Sequence, residues 1–133
     1  VLLGSEPCAL IEAKQWRSSD FASWSGGNGQ NNPLKKTRED IEKLRALEIE
    51  CDCFILSFCV HCDPIPCKTY DQEIKYLRET IRSGTLKKRQ IYDGFEHLRC
   101  KWGGLPVEVC GEVCAGKAFG VNVFVYYWLL KVC

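Results

Sequence analysis

The segment Cys51 to Val60, Cys-Asp-Cys-Phe-Ile-Leu-Ser-Phe-Cys-Val, constrains the fold more than any other stretch of this chain. Read as a strand, it sends Cys51, Cys53, Ile55, Ser57 and Cys59 to one face and Phe54, Leu56, Phe58 and Val60 to the other. A strand apolar on both sides needs cover on both, which predicts a central position in a sheet flanked by helices. A chain of 133 residues, 46% of them apolar, has the material to close such a core as one domain.

The same strand bears on the ten cysteines: Cys8, Cys51, Cys53, Cys59, Cys62, Cys67, Cys100, Cys110, Cys114 and Cys133. An even number in a small chain suits a disulfide framework in an oxidising compartment. Cysteines spaced along one face of a central strand act instead as small buried hydrophobes. A third reading takes Cys59-Val60-His61-Cys62 with Cys67, or Cys110 with Cys114, as zinc ligands, although the two groups do not repeat a knuckle spacing.

Around this strand the pattern alternates. A strand pair, Val1 to Leu3 and Ala9 to Gln15, leads into a Gly/Asn/Ser loop from Ser18 to Asn32. Asn32 caps a helix that starts at Pro33, with Leu34, Ile41, Leu44 and Leu47 on one face and Glu39 four residues before Lys43. After the central strand and the turn Asp63-Pro64-Ile65-Pro66, a capping box from Thr69 to Gln72 opens a second helix. It is lined by Tyr70, Ile74, Leu77 and Ile81 and ended by Gly84. A third helix is predicted from Gln90 to Arg99 on Ile91, Phe95 and Leu98, and two β pieces from Leu105 to Cys110 and Val121 to Tyr127. The class is α/β, a mixed central sheet flanked by helices.

Charge excludes little. The 18 Lys and Arg against 17 Asp and Glu leave a formal charge of +1, so attraction to nucleic acid would come from a local patch. The opening Val1-Leu2-Leu3-Gly4 has no basic leader and no apolar run reaches membrane-spanning length, so the expected location is the cytoplasm, with no membrane partner. The chain has no Met and opens within a strand, which reads as a fragment or processed product.

Within the second strand, Glu12-Ala13-Lys14 sets a carboxylate and an ammonium two residues apart, on one face. This tripeptide, the helix carrying Asp40-Ile41-Glu42-Lys43-Leu44 and the apolar strand after it follow the order of elements over residues 1 to 83. In that order they resemble the core of the PD-(D/E)XK nuclease superfamily, the restriction-endonuclease-like fold. The resemblance implies a metal-dependent endonuclease hydrolysing DNA phosphodiester bonds, RNA being the other substrate it allows. Glu12 and the Ala13 carbonyl would bind Mg²⁺ or Mn²⁺, Lys14 would act on the attacking water with its pKa lowered, and Gln15 would contact phosphate or the water network. The family also carries an Asp some ten to twenty residues upstream. Here that window falls before Val1, so the chain is either truncated there or inactive; Glu6 does not match the motif.

Arg78, Arg82, Lys87, Lys88, Arg89, Arg99 and Lys101 form the one concentrated positive segment, with Lys87, Lys88 and Arg89 as expected nucleic-acid contacts. Trp16 and Trp24 would stack on bases or pack against the core. Gly111-Glu112-Val113-Cys114-Ala115-Gly116-Lys117-Ala118 has the phosphate-loop spacing, ends in Ala where a hydroxyl should bind Mg²⁺, and is followed by β-branched and aromatic residues. It reads as a remnant of a P-loop nucleotide-binding protein or as a turn between strands. A disulfide-stabilised secreted binding domain is the other alternative to the nuclease.

Overall fold

The computed structural model describes residues 2–3, 6–7, 9–18, 33–64, 67 and 86–133. Six strands and two helices follow one another: β1 (Leu2–Leu3), β2 (Glu6–Pro7), β3 (Ala9–Arg17), α1 (Pro33–Arg45), β4 (Asp52–Asp63), α2 (Lys88–Lys101), β5 (Val107–Ala118) and β6 (Val121–Lys131). β1 and β2 form a two-residue antiparallel pair of their own. The main sheet has the order β3-β4-β6-β5, parallel between β3 and β4 and antiparallel elsewhere. This is the expected α/β class with a mixed sheet. The predicted pairing of Val1 to Leu3 with the Glu12 strand is replaced by the parallel β3–β4 ladder. The loop from residue 19 to 32, its Trp24 and the Thr69 helix with Arg78 and Arg82 lie outside the described residues.

β4 occupies the predicted inner position, and its alternation decides the layers. Cys53, Ile55, Ser57, Cys59 and His61 are buried, and the register places Leu10, Glu12, Lys14 and Trp16 of β3 and Leu130, Trp128, Tyr126 and Phe124 of β6 on the same face. The helices pack here. α2 buries Ile91, Phe95 and Leu98, the residues whose spacing predicts it, and Phe95 stacks on Trp128 with ring centroids 4.0 Å apart. Tyr92 meets Tyr126 and Trp128 edge-on, and Trp102, just past α2, tilts against Trp16 at 5.7 Å. Trp16 is therefore a core residue rather than a base-stacking one. Aromatic pairs of this kind add about 0.5–1.5 kcal/mol each beyond their buried area.

α1 buries Thr37, Ile41 and Leu44 at helical spacing, while Leu47 lies past its end and is exposed. Arg38 Nη2 donates to the Lys101 carbonyl at 2.8 Å and Trp102 Nε1 to the Leu34 carbonyl at 3.3 Å, which ties the two helices together. Cys51, Cys53, Cys62, Cys100, Cys110, Cys114 and Cys133 are thiols. Burial, then the neighbouring Cys133 and Cys51 sulfurs, pushes the Cys53 thiol up to about 11.

The segment with phosphate-loop spacing is a strand. β5 runs from Val107 to Ala118 against β6, and a two-residue turn, Phe119-Gly120, joins them with both φ angles positive. Its glycines have local causes. The Tyr127 ring crosses Gly111, where a Cβ would stand 2.6 Å from the Tyr127 hydroxyl, and Gly116 takes φ +103° at a break in the β5–β6 register. No loop wraps a phosphate here and no helix follows; β6 does.

Candidate functional site

Two polar regions lie on the helix-covered face of the sheet. In the first, period-two alternation brings Glu12 and Lys14 to one side of β3, and the helical stripe of Thr37, Ile41 and Leu44 turns Asp40 of α1 toward them. Lys14 Nζ donates to Glu12 Oε1 at 2.7 Å and to Asp40 Oδ2 at 2.5 Å, and Lys43 Nζ donates to Asp40 Oδ1 at 3.1 Å. The Lys14 and Asp40 side chains are 22% and 18% exposed, that of Glu12 46%. In register beside Lys14 sits Ser57, fully buried, its Oγ without a hydrogen-bond partner.

These contacts set the protonation states. Burial pushes the Lys14 ammonium toward losing its proton, but the hydrogen bonds and charges of Asp40 and Glu12 outweigh it and hold the pKa above the ordinary lysine value. Burial likewise pushes Asp40 up, and hydrogen bonds from Lys14 and Lys43 bring it below the ordinary carboxylate value. The expected lowering of Lys14 is thus reversed: without a cation beside it, it is a firmly protonated ammonium.

Of the residues the resemblance implies, Glu12 and Lys14 come together. Gln15 does not. It stands an odd number of residues away, so it projects from the opposite face of β3, as does the Ala13 side chain, and Gln15 is exposed. Asp40 is the residue without a role in the sequence reading. Its helix could be read from periodicity; that this one carboxylate turns onto β3 depends on the crossover between the parallel strands β3 and β4. Among the described residues no three His, Cys, Asp or Glu side chains cluster as a metal site.

The second region lies at the carboxyl end of β4, where a cavity of about 500 Å³ opens between the sheet and the start of α2. His61 lines it, 5% exposed, with Nδ1 lacking a hydrogen-bond partner. Burial lowers its pKa against a small opposite effect of Asp63. Lys87 and Lys88 are on the rim, and Lys88 Nζ pairs with Glu112 Oε2 at 2.7 Å. Arg89 reaches Asp93 at 3.6 Å. Arg99 and Lys101 sit at the far end of α2, so the positive segment is divided between the two ends of a helix. Arg99 is structural: it grips Glu96 through Nε and Nη2 at 2.9 and 2.8 Å and donates Nη1 to the Leu105 carbonyl at 3.0 Å.

No family model, curated protein or solved structure matches this chain.

Proposed function

We propose that the chain is a metal-assisted phosphodiester hydrolase of the restriction-endonuclease-like kind, acting on DNA, with its centre at the meeting of β3 and α1. One observation carries the reading: two carboxylates from separate elements, Glu12 and Asp40, converge on a single point of positive charge, now filled by the Lys14 ammonium. Mg²⁺ and Mn²⁺ are held by one or two carboxylates with waters and substrate phosphate completing the shell, and this donor pair fits that need. Asp40 would serve as the second acid beside Glu12.

Glu12 and Asp40 would hold the ion, with the Ala13 carbonyl as a further oxygen from the same strand. Such an ion, when bound, polarises the phosphate and acidifies a water. The residues do the rest. Lys14, held between Glu12 and Asp40, would stabilise negative charge on a phosphate bound beside such an ion. Lys43, paired to Asp40 and 74% exposed, faces solvent at the same site and can meet the substrate backbone.

Mn²⁺ titration by calorimetry together with plasmid nicking tests this. Glu12→Gln and Asp40→Asn should each weaken Mn²⁺ binding about tenfold or more, and Lys14→Met should keep Mn²⁺ bound while nicking falls on the order of 100-fold. A wild-type protein that takes up no Mn²⁺, or an Asp40→Asn variant that nicks and binds as wild type, would refute the assignment.

A further inference from the structure

The sheet edge farthest from Glu12 presents features that the proposed centre does not use. β5 is the outermost strand there: among the described residues it pairs with β6 alone, so its other side is a row of backbone N–H and C=O groups without a ladder partner. The strand is regular from Val109 to Cys114, between register breaks at Val107/Val109 and Cys114/Gly116. Within that run Val109 and Val113 are 47% and 53% exposed, on the face away from α2 that they share with Leu129 and Val125 of β6. An apolar edge of this kind is a template for another strand.

The alternate residues decide which strand it takes. Cys110, Glu112 and Cys114 share the face beside α2, in register with Trp128, Tyr126 and Phe124, and both thiols are exposed. Four residues apart on one strand, the thiols stand about 13 Å from each other, too far to bridge within a chain. Their spacing is symmetric about Glu112. A two-fold axis through that residue sets Cys110 of one copy opposite Cys114 of the other, and Gly111 opposite Val113, with opposed residues always on the same face as an antiparallel pair requires. Glu112 then meets its own counterpart. Each brings a Lys88 ammonium held at 2.7 Å, so two ion pairs lie side by side in opposite directions and their charges compensate.

From this self-complementarity we propose that β5 is a docking edge for a second copy of this chain. Two copies join antiparallel about Glu112, turning their four-stranded sheets into one continuous sheet, with Cys110 of each copy facing Cys114 of the other. Opposed β carbons in such a ladder stand about 4.5–5.5 Å apart, and a disulfide needs about 3.5–4.5 Å, so a small shift lets a crosslink record the register. The paired stretch from Cys110 to Cys114 is short, which puts the dimer in the weak, exchanging class of interfaces. It is independent of the metal-dependent reading of Glu12 and Asp40.

Sedimentation equilibrium of the full chain, in EDTA and a thiol reductant over a concentration series, reads the association, expected in the micromolar range. Glu112→Lys gathers like charges at the axis and should weaken the dimer about tenfold or more, and adding Lys88→Glu, which restores the alternation, should recover it. Crosslinking by oxidised glutathione reads the register: one protein thiolate attacks it and releases a glutathione thiol, and the opposed thiolate displaces the second, so one disulfide forms for each one reduced. Cys110→Ser and Cys114→Ser proteins should each lose the crosslinked dimer alone and regain it when mixed, because only the mixed pair sets a thiol opposite a thiol. The proposal is overturned if the chain stays monomeric at millimolar concentration, if Glu112→Lys associates like wild type, or if either cysteine variant alone crosslinks as well as the mixture. Should Glu112→Lys not fold, the mixing of the two cysteine variants still decides.

Discussion

At the β3–α1 contact every charged group meets an opposite one: Lys14 lies between Glu12 and Asp40, and Asp40 is shared with Lys43. At the α2 N-terminus Lys88 pairs with Glu112 and Arg89 reaches Asp93, but His61 Nδ1 is unsatisfied and Lys87 stands on a helix dipole of the same sign. Both regions stand on one face of one sheet, so general burial does not explain the difference. A closed cluster stabilises the fold as it stands and admits a ligand only by exchanging a partner. An open one carries an internal cost. Substitutions should therefore move stability in opposite directions at the two places.

The largest effect belongs to Lys14→Met. It leaves two carboxylates facing one another, one of them mostly buried, and the expected loss is about 1–2 kcal/mol in urea denaturation, within the range between exposed and buried pairs. Nicking should fall by the ~100-fold already given. Loss of stability with nicking intact would make the cluster a fold-holding ion pair and nothing more.

His61→Phe should act the other way. Replacing an unsatisfied imidazole by an apolar ring of similar shape, next to a cavity that can take the extra volume, is expected to stabilise the fold by about 1 kcal/mol. A destabilisation of that size would mean that His61 has a polar partner after all, and would end the contrast between the two regions.

How much of this could be read from the residues follows from the range of the interactions. The two-sided apolar pattern of Cys51 to Val60 is a property of one strand, and it places β4 inside the sheet. The stripe Ile91, Phe95, Leu98 is a property of one helix, and it gives α2 within two residues at either end. Period two pairs Glu12 with Lys14, and applied one residue further it sends Gln15 to the other face, against the role that the motif implied. Gly111 to Lys117 misleads because a spacing is silent about what lies opposite: only the β5–β6 register brings Tyr127 over Gly111. Asp40 and His61 are legible as residues and not as a site. Their meaning comes from a helix crossing two parallel strands and from a cavity at a strand end, both made by contacts between segments far apart in sequence.

The pH dependence separates the regions further. Burial holds the folded-state pKa of His61 below its unfolded value of about 6.5. Above that value the residue is neutral in both states and contributes nothing. As pH falls below it the unfolded chain takes up a proton that the folded one refuses, so stability drops until the folded pKa is reached. Asp40, held below its ordinary value by Lys14 and Lys43, adds a second loss at more acid pH, as pH falls from the unfolded carboxylate value through the lower folded one. Lys14, with its pKa raised, contributes stability that is full below about 10.5 and disappears only at higher pH. Urea midpoints measured from neutral pH down to 4 should therefore slope in wild type, and should flatten below pH 6.5 in His61→Phe. An unchanged slope would remove His61 as its source.

The smallest effect is the most selective. Lys87→Glu puts an acid at the entrance of α2, where the dipole favours one, and takes a cation from a crowded positive end; a gain of about 0.3–1 kcal/mol is expected from thermal melts at low salt. Because Lys87 is exposed and outside the Glu12 cluster, Mn²⁺ binding should stay as in wild type. A variant that is more stable is what a cation at the positive end of the helix dipole predicts. A variant that loses stability would show that Lys87 is satisfied by some other part of the chain, and that the start of α2 is as closed as the cluster at Lys14.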